Sequence, residues 1–418
     1  MPPSYINMHV HCFTLADVPE QFFDSLIGGK RFLRISKLRS GTLNRFFVRL
    51  VTRRWFIWLV RRFSRPAANQ LRRLKGLLKY CSEPTQEALL EKLRAFYEKW
   101  KCNTLFHFVP LTMDMEFMDA GKPSRQFEEQ LRELRLLKSS PRWKEIIHPF
   151  IFADPRRPDV YQVVRGAITG TNARFSGIKL YPALGYYPFD KRLRDVYLFA
   201  IEKNLPIVSH CVHGSVFFRG KPPEESRHPF TGRPCFGNTA EEYQLNWTHP
   251  LNYELLLNSE YLERIWGAGA PDLAALKICL AHFGGENEWL DDRNMLRFWQ
   301  KRKPVQLQGN VDYLDPLQDW FGEKRNKWFP IIVELMRKYP NVFADISFTL
   351  HNKEIYGRLK QMLLDDSVRD KILFGTDYYV VSSVADEPEV LATLESELNN
   401  VQLFELIASE NPRRFLGW

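Results

Sequence analysis

The sequence of 418 residues has no apolar run of the roughly 18 residues that a membrane-spanning helix requires, so no transmembrane segment is expected. It has no Cys-x-x-Cys pair either. Six cysteines stand at positions 12, 81, 102, 211, 235 and 279. Three of them lie on or beside apolar strand candidates, where a free thiol behaves as a small hydrophobe in a reducing compartment. Met1-Pro2-Pro3-Ser4-Tyr5 lacks the charged start and apolar stretch of a secretory leader, and a cytoplasmic location is expected. Internal repeats and low-complexity tracts are absent. The most local deficit is of acid: residues 25–82 carry 16 Lys and Arg and not one Asp or Glu. The formal charge of +10 is therefore a property of one segment, because elsewhere 43 basic residues face 49 acidic ones.

What is present belongs to a globular chain: 44% hydrophobic, 26% charged and 14% aromatic residues, enough to build a large core. After an N-terminal strand centred on Ile6–His11, strand-like runs recur at 104–111, 147–153, 177–182, 206–211, 277–283, 341–347 and 372–377. Helical spacing fills 124–137, 158–169, 191–203, 330–339 and 354–364. Eight strands alternating with helices predict a parallel sheet closed into a (β/α)8 TIM barrel, one domain over 1–418, whose site lies at the C-terminal strand ends. A basic helical insertion over 25–103 separates strands one and two. Within it 43–63 shows apolar helical spacing with Arg45, Arg49 and Arg53 in one stripe, and a helix capped near Ser82 is expected to run to about Lys101. The longer connections 213–276 and 285–329 are expected as loops over the barrel mouth.

Two readings fit residues 25–82. Their Arg-rich face, with Trp55 and Trp58 as aromatic anchors, suits an anionic surface (lipid headgroups at a membrane periphery, nucleic acid or an acidic partner). The preferred alternative is packing against the barrel or a second copy in a homo-oligomer, since helices rich in Phe and Trp usually bury them in protein.

The strand ends carry the chemistry. His9 and His11 point the same way from one strand, and neutral imidazoles are common ligands of divalent ions. Lys179 and Tyr181 end the fourth strand, His210 the fifth, His282 the sixth and Asp377 the eighth, each after an apolar run. The four histidines and Asp377 are N/O donors that suit Zn²⁺, Fe²⁺ or Mn²⁺, and Tyr181 is a candidate to bind substrate. Weaker candidates are Arg156 and Arg157 beyond strand three as anion binders, and Trp247 and His249 near the substrate. Ser347, in the polar pair Asp345-Ile346-Ser347 of strand seven, is a candidate to line the pocket. His213 and His228 read as exposed loop histidines; Trp289, Trp299 and Trp320 read as packing aromatics.

The order His-x-His, Lys, His, His, Asp along the strands resembles the amidohydrolase superfamily. Gly375-Thr376-Asp377, His282-Phe283-Gly284-Gly285 and the C-terminal Glu410-Asn411-Pro412-Arg413-Arg414-Phe415-Leu416-Gly417 resemble its amidohydrolase-related (amidohydrolase-2) branch. The resemblance implies that His9, His11, His210 and Asp377 hold one divalent ion, zinc by preference, with Asp377 also handling the proton of the activated water. It implies that His282 acts as general acid/base. Lys179 is expected as a free cation facing a substrate carboxylate; the alternative is a carboxylated Lys179 bridging two metals. The implied function is a metal-dependent hydrolase of a small carboxylate, ester, lactone or amide. The alternatives are a non-oxidative decarboxylase on the same ligands, or a membrane- or nucleic-acid-associated module working through residues 25–82.

Overall fold

The computed structural model describes residues 4–22, 62, 83–171, 174–214, 216–222, 227–230, 232, 234–235, 237–291, 328–382 and 385–418. The chain alternates strictly. β1 (Ser4–Val10) is followed by α1 (Gln86–Trp100) and β2 (Leu105–Pro110). α2 (Phe127–Ser139) leads to β3 (Phe150–Phe152), α3 (Val160–Thr169) to β4 (Gly177–Leu180), and α4 (Arg194–Glu202) to β5 (Pro206–His210). α5 (Ala240–Thr248), α6 (Leu251–Leu257) and α7 (Ser259–Trp266) precede β6 (Lys277–Ala281). α8 (Glu286–Leu290) and α9 (Trp328–Lys338) precede β7 (Val342–Asp345), and α10 (Tyr356–Met362) precedes β8 (Ile372–Leu373). α11 (Tyr378–Val381), α12 (Glu387–Leu398), α13 (Val401–Glu405) and α14 (Asn411–Leu416) end the chain.

The strands are parallel throughout, in a two-stranded sheet β1-β2 and a six-stranded sheet running β3 to β8 in sequence order. Backbone bonds cross both seams. Phe108 N–H donates to Ile146 O at 2.8 Å and Thr112 N–H to Phe150 O at 3.2 Å; on the other side Met8 N–H donates to Phe374 O at 3.0 Å and Asp377 N–H to His9 O at 2.8 Å. Strands β3 to β8 are buried along their whole length, as parallel strands covered by helices must be.

The helices turn apolar stripes inward. α1 buries Leu89, Leu90, Leu93 and Tyr97 at helical spacing, each worth about 1.5–3 kcal/mol of transfer energy. Its N-cap is Thr85, whose hydroxyl accepts Ala88 N–H at 3.1 Å, three residues beyond the expected cap at Ser82. α1 lies between β1 and β2, within the segment 25–103 read as an insertion. Residues 25–82, including the helix at 43–63 and the basic stripe, lie outside the described residues except Arg62. So do Trp299 and Trp320.

The connection after β5 is not all loop. Thr239 caps α5 by accepting Glu242 N–H at 3.2 Å, and Asn258 caps α7 through Glu260 N–H and Tyr261 N–H. These helices of seven to nine residues are too short to impose a visible period on a stretch rich in Gly, Pro and aromatics. No helix among the described residues is long and apolar enough to cross a membrane.

Candidate metal centre

β1 sets the first pair. His9 and His11 lie two residues apart, and their Nε2 atoms approach to 3.3 Å. The other nitrogen of each ring decides the tautomer. His11 Nδ1 lies 3.2 Å from Leu111 O, and His9 Nδ1 lies 3.0 Å from Asp345 Oδ2. A carbonyl or carboxylate oxygen only accepts, so both Nδ1 atoms carry the proton and both Nε2 lone pairs face each other. Burial, the largest influence on each ring, lowers both imidazole pKa values and disfavours a proton between them. Two nitrogens bound to one tetrahedral zinc at about 2.0–2.1 Å stand roughly 3.3 Å apart, which is the separation found here.

His282 follows β6 with φ of 67°, in a left-handed run that continues through Phe283, Gly284 and Gly285. Its Nδ1 lies 3.2 Å from Ser347 O and 2.9 Å from Ser347 Oγ. Its Nε2 lies 3.1 Å from His210 Nδ1. The His210 ring stacks on Tyr181 with centroids 3.9 Å apart, and its Nε2 has no hydrogen-bond partner. Burial pushes the His282 pKa down to about 3 and that of His210 well below the ordinary value.

β8 supplies the carboxylate through Gly375-Thr376-Asp377, and each residue has a physical task. A Cβ on Gly375 would lie 2.7 Å from His9 Cβ, so only glycine lets the two strand ends approach. Thr376 is buried and hydrogen-bonded through both its hydroxyl and its N–H. Asp377 takes a left-handed φ of 59°, which directs Oδ1 to 3.7 Å from His11 Nε2 without a hydrogen-bond partner. Burial raises the Asp377 pKa to about 7, with Lys179 opposing. His9, His282 and Asp377 present ligand atoms within 4.8 Å of one another. The His282 nitrogen thus lies in the same cluster as the His9 ring and the Asp377 carboxylate.

Lys179 is fully buried on β4, and its Nζ has no hydrogen-bond partner; it lies 5.5 Å from the centre of the Tyr181 ring. Burial lowers its pKa to about 8 against the pull of Asp345 and Asp377. Ser347 touches both His9 and His282, at 3.1 and 2.9 Å.

The remaining candidates sit elsewhere in the network. Arg156 is a bidentate partner of Asp154, at 2.9 and 2.7 Å, and reaches Phe117 O with a third nitrogen. Arg157 pairs with Asp114, Glu116 and Glu128. Trp247 is buried edge-on to Phe218, and His249, buried beside Trp328, accepts Leu251 N–H at 3.2 Å. His228, expected as exposed, is buried edge-on against the stacked rings of Tyr187 and Phe189, with Asn252 of α6 also against it. His213 is half exposed. Trp289 is buried against Phe283 and Phe329, the packing role expected of it.

Asp345 is the residue that sequence reasoning passed over. Its carboxylate takes the His9 ring N–H, His282 N–H at 2.9 Å, Ser347 N–H at 3.0 Å and the Ser347 hydroxyl. Burial opposes its charge, but these donors, led by His9, hold it below the usual carboxylate range. The signal in the sequence is the polar pair Asp345 and Ser347 at and just beyond the end of β7.

The donor set fits a divalent cation. Converging imidazole lone pairs, an unsatisfied carboxylate oxygen and backing acceptors that fix each tautomer are what such an ion requires. The Amidohydrolase family model matches residues 147–418. Among solved structures, 5-carboxyvanillate decarboxylase from Sphingomonas paucimobilis is 12% identical, covering 100% of this chain and 99% of that chain, with a TM-score of 0.48. 4-Oxalomesaconate hydratase from Rhodopseudomonas palustris is 12% identical over 99% and 95%, with a TM-score of 0.47. A probable 2-pyrone-4,6-dicarboxylic acid hydrolase from Acinetobacter baumannii is 12% identical over 99% of each chain, with a TM-score of 0.45. No curated protein matches the chain.

Proposed function

Because the chain belongs to the amidohydrolase family and is an enzyme of that superfamily, we propose that it is a metal-dependent hydrolase of a small carboxylate, ester, lactone or amide. The observation that carries this reading is the pair of opposed lone pairs on His9 and His11 beside the bare Asp377 oxygen. In this reading the eight strands form one closed (β/α)8 barrel, supported by the backbone bonds across both seams.

His9, His11, His210 and Asp377 would hold one divalent ion, zinc by donor type. When bound, the ion supplies Lewis acidity, polarising an acyl oxygen and lowering the pKa of a water toward neutrality. The protein does the rest. Asp377, whose Oδ1 faces the cluster beside His11, accepts the proton of the attacking water. His282, fixed by Ser347 and by the Asp345 contact to its backbone, holds Nε2 toward the cluster, where it takes that proton from Asp377 and gives it to the leaving group. Asp345 keeps His9 in the tautomer that presents Nε2. Lys179 is a buried cation that suits a substrate carboxylate, and the Tyr181 ring near it also stacks on His210.

The test is metal analysis of the purified protein followed by a panel of small esters, lactones and amides in ¹⁸O water. About one equivalent of metal and ¹⁸O in the acid product are expected. A metal-loaded protein that releases carbon dioxide with no ¹⁸O uptake would move the assignment to a lyase.

A further inference from the structure

Four buried polar side chains outside the cluster meet behind the ends of β1 and β8: Asn7, Tyr97, Thr376 and Glu387. Asn7 Oδ1 accepts His9 N–H at 3.2 Å and Thr376 N–H at 3.1 Å. Asn7 Nδ2 donates to Thr376 Oγ1 at 2.8 Å and to the Tyr97 hydroxyl at 2.7 Å. Thr376 Oγ1 in turn donates to Glu387 Oε1 at 2.9 Å. Tyr97 lies on α1 and Glu387 on α12, two helices that pack on each other, and the two side chains interact there.

Such a network is costly unless satisfied. Each buried polar group left without a partner costs about 1–3 kcal/mol, whereas apolar side chains of the same size would pack here without that risk. Its placement shows what it secures. The backbone it grips leads directly to His9 and to Asp377, whose left-handed conformation costs on the order of 1–3 kcal/mol and persists only where the surroundings impose it.

We infer that Tyr97 and Glu387 are positioning residues of the candidate metal centre, acting through Asn7 and Thr376 to fix the backbone from which His9 and Asp377 point. The inference rests on the metal-centre reading given above. It means that α1, which follows the acid-free segment 25–82, helps to shape the site.

The full chain is tested as Tyr97→Phe, Glu387→Leu and Glu387→Gln, beside the pair Thr376→Val and Thr376→Ser. The readouts are Co²⁺ affinity by chelator competition, the visible absorption of the Co²⁺ form, and the Tm of the metal-free protein. Tyr97→Phe, Glu387→Leu and Thr376→Val should each weaken Co²⁺ binding about tenfold and shift the absorption band, the lower end of the effect of groups that orient ligands. Glu387→Gln, which keeps an acceptor for Thr376, and Thr376→Ser, which keeps the hydroxyl, should restore both. A lowered Tm with unchanged affinity and spectrum overturns the inference, since a purely structural role predicts that outcome. If Glu387→Leu fails to fold, Tyr97→Phe and the Thr376 pair decide. A parent protein that binds no Co²⁺ overturns the metal-centre reading itself, an outcome distinct from variants that bind as the parent does.

Discussion

Two histidine pairs can be set side by side, His9 with His11 at β1 and His107 on β2 with His148 before β3, and only the first has the surroundings that the metal-centre reading requires. His107 and His148 approach as closely as His9 and His11, at 3.2 against 3.3 Å. What lies behind each ring separates them. His9 and His11 spend their outer nitrogens on Asp345 and Leu111 O, so their lone pairs converge beside Asp377. In the other pair the contact is made by the His107 nitrogen that donates to Glu145 O, and Lys138 Nζ stands 3.4 Å from His148 Nδ1. There the neighbour is a cation, which repels a metal ion, and Trp418 packs edge-on against His148. Proximity of imidazoles is therefore a poor predictor; the backing acceptors and a nearby anion make the site.

The contrast can be broken most completely by removing the rings. His9→Ala with His11→Ala should reduce bound metal from about one equivalent to none while circular dichroism stays that of the parent, because these residues lie at the catalytic ends of the strands. His107→Ala with His148→Ala should leave the metal content, read by elemental analysis, unchanged. The next effect is kinetic. His282→Asn should retain the metal and lose about 10²–10⁴-fold in turnover of a substrate found by the panel, as loss of an acid/base group does. Because His282 shares the ligating cluster, loss of the ion in this variant would make it a ligand and favour the two-metal arrangement with carboxylated Lys179.

A smaller change sharpens the role of the backing groups. Asp345→Asn should weaken metal binding by about 10–100-fold, read by chelator competition, since the amide no longer enforces the His9 tautomer. The smallest effect belongs to the other pair. Burial, then Lys138, pushes the His148 pKa down to about 3. In the unfolded chain that ring titrates near 6.5, so its contribution to stability is whole above pH 6.5 and is lost as pH falls toward 3. His148→Gln should flatten that part of the stability profile, measured by urea denaturation at pH 7, 5 and 4.

Much of the cluster was legible because a polar residue after an apolar run has no packing reason to be there. His9, His11, Lys179, His210, His282 and Asp377 all announce themselves in this way, and the strand-helix alternation follows from two simple periods. Asp345 did not, because its donors come from β1, β7 and the turn after β6, and a strand-end aspartate looks the same whether it accepts one bond or several. Arg156 was ambiguous for a similar reason: its partner Asp154 is two residues away, and spacing alone does not say whether an arginine faces its neighbour or a ligand. Gly375 was visible only as part of a motif; the His9 Cβ that excludes any side chain there comes from the far end of the chain.

That last pairing also orders events during synthesis. β1 emerges first, yet the strand that bonds to its far side and brings Asp377 is made almost last. At about 5–20 residues per second the ribosome needs roughly 20–70 s to cover the interval, during which β1 carries an unpaired edge of the kind that invites misassembly. In the metal-centre reading, capture of the ion is then a closing step of biogenesis rather than a nucleus for it, possible once β1 and the segment that carries Asp377 have met.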